Sequence, residues 1–137
     1  MVIKSVLSEY SSTPPDQPGR VKIDADGPLY DLARVKALAA NEDQILVWTA
    51  KCRKDVLNLF DSDLVQVAEL IQALTTADYI DSEWCENGRG ALAACDAYRI
   101  RRQETIPATG RSMTVSYFVK FAIGKTGRLV LMVSCHV

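Results

Sequence analysis

The stretch VSYFVKFAIGKTGRLVLMVSCHV, residues 115–137, decides the fold class. Its first half alternates. Val115, Tyr117, Val119, Phe121 and Ile123 suit a core, while Ser116, Phe118, Lys120 and Ala122 fall on the opposite side of a strand. Gly124-Lys125-Thr126-Gly127 is a turn signal. From Leu129 to Val137 a second strand follows, with Leu129, Leu131, Val133 and Cys135 as its apolar set and Val130, Met132, Ser134 and His136 opposite. The two strands are expected to pair as a hairpin, which places Lys120 and His136 on one sheet face.

Working back along the chain, Cys95 to Arg102 is a third strand, separated from the hairpin by a long loop holding Pro107 and Gly110. It puts Cys95, Ala97, Arg99 and Arg101 on one side and Asp96, Tyr98, Ile100 and Arg102 on the other. Helical spacing appears earlier. Asp31 can cap a helix from Leu32 to Ala40, and Ser62 or Asp63 can cap one in which Leu64, Val67, Leu70, Ile71 and Leu74 form an apolar face. Lys51 to Phe60 reads as a short helix. Ile45 to Thr49, β-branched and aromatic, reads as a strand. Helices followed by a mostly antiparallel sheet describe an α+β domain with helices on one sheet face. Its expected extent is residues 29–137.

Residues 1–28 hold four of the five prolines and read as a flexible arm, although Met1 to Leu7 and Val21 to Ile23 could dock as edge strands. No apolar run reaches the roughly 18 residues of a membrane span. Lys4 and Ser5 break the only apolar start, so a cytoplasmic protein without membrane contact is expected. The cysteines Cys52, Cys85, Cys95 and Cys135 show no metal-ligand spacing, and with a single histidine no metal or other cofactor is implied; they read as reduced, buried thiols.

Net charge is −1, but the charges are not mixed evenly. Asp55 to Asn87 carries eight acidic residues and no basic one; Gly88 to Arg128 carries eight basic residues against two acidic. The acidic excess reads as solvated helix faces and an exposed Asp78 to Glu86 segment, or else as a binding surface. Arg99, Arg101 and Arg102 supply forked donors for phosphate, and with Lys120 and His136 they make a minimal constellation for cleaving RNA. That reaction needs a group to take the 2′-hydroxyl proton, cations on the phosphorane and a proton for the leaving oxygen. The plainer alternatives are a solvated strand end for His136, a solubilising Lys120 and a surface salt-bridge network for the arginines.

From Tyr30 to Val137 the chain resembles the motility quorum-sensing regulator (MqsR) type of bacterial type II toxins. Tyr30-Asp31-Leu32 and Val35-Lys36-Ala37-Leu38 begin the likeness. Leu74-Thr75-Thr76-Ala77-Asp78-Tyr79-Ile80-Asp81-Ser82 is similar to a family stretch Leu-Thr-x-x-Asp-Phe-Tyr-Lys-Ser. Cys95-Asp96-Ala97-Tyr98 looks like Gln-Asp-Val-Tyr, Phe118-Val119-Lys120-Phe121 like Tyr-Val-Lys-Phe, and Val133-Ser134-Cys135-His136 like Leu-Ser-Phe-Lys. The resemblance implies a RelE/MqsR-like toxin fold, an mRNA-cleaving endoribonuclease that works without metal, and an antitoxin or other regulatory protein as partner.

Its surviving positions, Asp96, Tyr98 and Lys120, add Tyr98 to His136 and Lys120 as expected catalytic residues, beside Arg99, Arg101 and Arg102, which their own forked donors mark for binding RNA. Departures fall where the chemistry would be: the family's lysine is Asp81, its glutamine Cys95, its tyrosine Phe118 and its terminal lysine His136. A unit charge pair at about 4 Å and an effective dielectric near 20 is worth roughly 4 kcal/mol, so the change to Asp81 alters any phosphate site. Three readings result. The chain is a ribonuclease with an altered active site using His136, a catalytically degenerate module that binds a regulatory protein, or a thiol enzyme using Cys95 with His136.

Overall fold

The computed structural model describes residues 5–16 and 20–137. Among the described residues the architecture is α+β, with three α-helices and one seven-stranded, mostly antiparallel sheet. The strands are β1 (Ser5–Val6), β2 (Val21–Ile23), β3 (Ile45–Val47), β4 (Tyr79–Glu86), β5 (Ala91–Thr105), β6 (Ser112–Ile123) and β7 (Val130–His136). Their spatial order is β2-β4-β5-β6-β7-β3, with β1 beside the start of β5. Only β1 with β5 and β3 with β7 run parallel.

The helices are α1 (Leu32–Ala39), α2 (Ala50–Phe60) and α3 (Leu64–Ala73). Each begins at a side chain that accepts an otherwise unpaired amide hydrogen: Asp31 from Ala33 at 3.1 Å, Thr49 from Cys52 at 3.1 Å and Asp63 from Val65 at 3.0 Å. The Thr49 hydroxyl also donates to the Val133 carbonyl at 3.0 Å, which fastens the start of α2 to β7. Val35, Ala39, Cys52, Val56, Phe60, Val67, Leu70 and Ile71 are the buried faces of the helices. They share one core with Tyr98, Tyr117, Val119, Phe121, Met132 and Cys135, so the helices cover that face of the sheet.

The hairpin, the strand positions after Gly88 and the three helices agree with the sequence reading to within a few residues, apart from β5, which starts at Ala91 instead of Cys95. Three features differ. The Asp78 to Glu86 segment, taken as exposed and acidic, contains β4, in which Ser82, Glu83, Trp84 and Cys85 are all buried because β2 and β5 flank it on both sides. In β7 a bulge between the Lys120 and Phe121 pairings flips the alternation. Cys135 lies opposite core-facing Val119, but Met132 and Val130 lie opposite core-facing Phe121 and Ile123, so the expected Leu129/Leu131/Val133 set is not the helix-facing one.

The third difference is in the stretch read as an arm. Ser5–Val6 pairs with Ala91 and Leu92, and Val21–Ile23 pairs with Trp84, Glu83 and Ser82, the edge-strand docking considered for those apolar pieces. Residues 1–4 and 17–19 lie outside the described residues. Trp84, Leu92 and Ala94 form a second small cluster with Val6, Tyr10, Val21 and Ile23 packed against it. These N-terminal residues therefore bury apolar surface at roughly 25 cal/mol per Å² instead of leaving it in water.

Candidate active site on the open sheet face

Facing pairs in neighbouring strands point to the same side of a sheet, so the register fixes the rows of side chains on the face away from the helices. One row runs Asp81, Ala97, Lys120, Ser134 across β4, β5, β6 and β7. The next holds Arg99, Phe118 and His136; beyond it Arg101 faces Ser116. On the other side of the first row Lys22, Glu83 and Cys95 are aligned across β2, β4 and β5.

Phe118 is the centre of this arrangement. The His136 ring stacks on it with centroids 5.1 Å apart and planes 25° from parallel. The Arg99 guanidinium carbon is 5.4 Å and the Lys120 Nζ 5.5 Å from the same ring centroid, both within cation–π range. Arg99 is exposed and donates to the Ser116 hydroxyl at 3.1 Å. Arg101 is exposed and makes no hydrogen bond or ion pair among the described residues. His136 is half-buried, its Nδ1 3.2 Å from the Val137 main-chain oxygen. With the hydrogen on Nδ1, Nε2 remains as the basic nitrogen.

Beside Phe118 lies a groove of about 430 Å³ whose walls include Arg20, Cys85, Phe118, Lys120, Ser134 and His136. A second hollow of about 350 Å³ continues over Lys22, Asp81 and Glu83 and shares Arg20, Phe118 and Lys120 with the first. His136 and Lys120 are thus brought to one concavity, with Arg99 in the row that carries His136.

Lys120 is not a free cation. It is 3% exposed and ion-paired with Glu83, itself 5% exposed. Lys22 reaches Glu83 at 3.5 Å and pairs with Asp81. The hydrogen bond to Asp81 raises the Lys22 pKa above its ordinary value, with the nearby carboxylates adding to that effect. Two lysines and two carboxylates therefore neutralise each other along this side of the face. A buried lysine requires such a partner, because an unpaired charge there would lose its hydration without compensation.

Two of the expected site residues belong elsewhere. Tyr98 lies on the helix-covered face at 0% exposure, stacked on Phe121 at 5.3 Å and edge-on to Tyr79 at 5.7 Å. Its hydroxyl has no hydrogen-bond partner among the described residues, and burial raises its pKa. It has no route to RNA on the other face and is withdrawn from the catalytic set. Arg102 is also on the helix side, 3.4 Å from Glu104 and over the Tyr117 ring at 5.7 Å, which leaves Arg99 and Arg101 as the paired arginines of the open face.

Asp96, the neighbour of Cys95, is structural. Buried on the helix side, it accepts from the Leu29 and Tyr30 amides at 2.9 and 3.0 Å and from the Ser82 hydroxyl at 2.6 Å, anchoring the entry to α1. Burial raises its pKa, against the pull of those three donors. Cys95 is fully buried, and its thiol is pushed well up by desolvation first and by the Cys85 thiol second. The groove beside His136 is lined by Cys85 instead, so the Cys95 and His136 pairing is not made.

Glu83, Lys22, Arg20 and Cys85 were missed by sequence reasoning. A period-two reading of Tyr79 to Glu86 would have set Asp81, Glu83 and Cys85 on one face, but three acids in eight residues masked the strand. Among the described residues no three His, Cys, Asp or Glu side chains converge where a metal ion could sit. No helix among them is long and apolar enough to cross a membrane. No family model, curated protein or solved structure matches this chain.

Proposed function

We propose that the chain is the toxin component of a type II toxin–antitoxin system, a metal-independent endoribonuclease with an altered active site on the open sheet face. The observation that carries this reading is the only histidine stacked on Phe118, in the same row as Arg99 and on the rim of a groove. An aromatic ring beside Arg99, with Arg101 in the next row of the same face, suits single-stranded RNA, whose bases stack while guanidinium groups hold the phosphates. His136 takes the 2′-hydroxyl proton or returns one to the leaving oxygen, and Arg99 and Arg101 stabilise charge on the phosphorane. Asp81, where the resembling family has lysine, is offset by Lys22 from the adjacent strand, so a cation is still present beside it.

The reading includes a cytoplasmic location and a RelE/MqsR-like relationship, with an antitoxin-like regulator as protein partner. Expression of the wild-type chain is expected to arrest growth and fragment messenger RNA, and His136→Ala to abolish both. Equal growth and intact RNA with wild type and variant would sink the enzymatic reading.

A second reading, a non-catalytic module of the same fold engaging a regulatory protein, is favoured by the neutralised Lys120 and by the sealed position of Tyr98. It predicts a protein partner captured equally by wild type and His136→Ala, with no RNA cut.

A further inference from the structure

We infer that the site does not end at Phe118: the open face of the β5–β6 ribbon is a track for extended single-stranded RNA, holding about three nucleotides beyond the base at that ring. The pairing of β4 with β5 stops at Tyr79 opposite Tyr98, and that of β7 with β6 stops at His136 opposite Phe118. β5 and β6 go on together without either neighbour, from Arg99 opposite Phe118 to Thr105 opposite Ser112. A two-stranded ribbon therefore runs out from the edge of the candidate site.

Its two faces differ in chemistry. Continuing the open-face rows in twos gives Arg101 with Ser116, Gln103 with Thr114 and Thr105 with Ser112. All of these are exposed except half-buried Ser116, and none is a carboxylate. The opposite face carries Arg102, Glu104, Val115 and Tyr117, which wall a hollow together with Leu59 and Phe60 of α2. There Glu104, the acid of the ribbon, accepts from the Tyr117 hydroxyl at 3.0 Å and lies 3.4 Å from Arg102 Nε. The open face is left with cations and neutral hydrogen-bonding groups, the composition that takes up a phosphate chain without repelling it.

The donors on this face are already held in place. The Ser116 hydroxyl accepts from Arg99 at 3.1 Å, and the Thr114 hydroxyl accepts from the Gln103 amide at 2.7 Å. Each bond steadies a long side chain across the ribbon, so less rotamer freedom is lost on binding. The Arg99 guanidinium and the Gln103 amide keep further N–H groups for phosphate and sugar oxygens, and exposed Arg101 lies between them. Same-face residues of a strand repeat at about 6.8 Å, a step that successive phosphates of an extended single strand can follow. From the Arg99 row to the Thr105 row is about 20 Å, or about three such steps.

This inference rests on the RNA reading of the Phe118 face, and its test separates the two. Binding of the full chain to a 2′-fluoro uridine dinucleotide and hexanucleotide, which have no 2′-hydroxyl to attack, is followed by fluorescence anisotropy. The hexanucleotide is expected to bind at least about tenfold more tightly than the dinucleotide, the worth of one hydrogen bond to a charged phosphate. Gln103→Glu and Thr114→Glu put an acid on the track and are expected to remove most of that gain. Met113→Glu adds the same charge beside Thr114 on the opposite face and is expected to keep it. All three positions are exposed, and far-UV circular dichroism checks that each variant is folded. Equal affinity for the two lengths, a gain retained in Gln103→Glu and Thr114→Glu, or a gain lost equally in Met113→Glu would overturn the track and leave the RNA reading standing. No binding of either length by the wild type would overturn both.

Discussion

Replacing Lys120 by methionine removes one half of a buried ion pair and leaves Glu83, 5% exposed, with a charge that its main partner no longer balances. Breaking a buried pair in this way costs about 3–5 kcal/mol, because the remaining ion keeps its desolvation penalty. Lys22 stays 3.5 Å from Glu83, but its side chain is 68% exposed and screened by water, so the expected loss is at the lower end, about 3 kcal/mol. At about 2.1 cal/mol/K of unfolding entropy per residue, a chain of 137 residues loses about 10 °C in Tm for that amount. Replacing both partners, Lys120→Met with Glu83→Met, removes both charges together and is expected to restore stability to within about 1 kcal/mol of wild type. Urea and thermal melts of the four proteins followed by far-UV circular dichroism supply the cycle. A cost below about 1 kcal/mol for Lys120→Met, or a double variant as unstable as the sum of its singles, would refute the claim that the pair is buried and mutually dependent.

Three other outcomes are expected. Tyr98→Phe removes a buried hydroxyl without a partner, so it should leave any RNA cleavage unchanged and stability equal or raised by up to about 1 kcal/mol in a urea titration. Arg99→Ala and Arg101→Ala should each weaken single-stranded RNA binding and reduce the slope of log affinity against log salt by about 0.7, measured by fluorescence anisotropy. Asp96 has a raised folded-state pKa and so holds its proton longer in the fold than in the unfolded chain. Its contribution is then most favourable below the ordinary value of 3.8 and falls as pH rises through the raised value. Relative to Asp96→Asn, wild-type stability should decline across that window in denaturant melts, and a rise there would contradict the assignment.

The sequence showed the helices through their caps and apolar spacing, and the final hairpin through its alternation, because those signals are local. What it hid depends on neighbours. The strand Tyr79–Glu86 carries Asp81, Glu83 and Glu86, which look like surface until β2 delivers Lys22 and β6 delivers Lys120 to the same side. A single bulge reversed the faces of Val130 and Met132, and nothing in the residues themselves marks it. Of the site, the shared face of Lys120 and His136 followed from counting in twos; that Arg99 and Arg101 join it while Arg102 does not depends on the β5–β6 register, which the sequence reading did not have. Tyr98 entered the expected set through family likeness; its even position, opposite Arg99, already placed it across the sheet.

The central claim is that the face around Phe118 cuts RNA through His136. The direct measurement is cleavage of a labelled single-stranded RNA by purified protein in chelator-containing buffer, comparing wild type, His136→Ala and Phe118→Ala at matched folded fraction. Loss of an acid–base group costs about 10²–10⁴-fold, so His136→Ala should fall by at least 100-fold, while Phe118→Ala, which removes a stacking surface of about 1–3 kcal/mol, should chiefly weaken binding. Cleavage by His136→Ala at the wild-type rate, or none by any of the three proteins, would contradict the account.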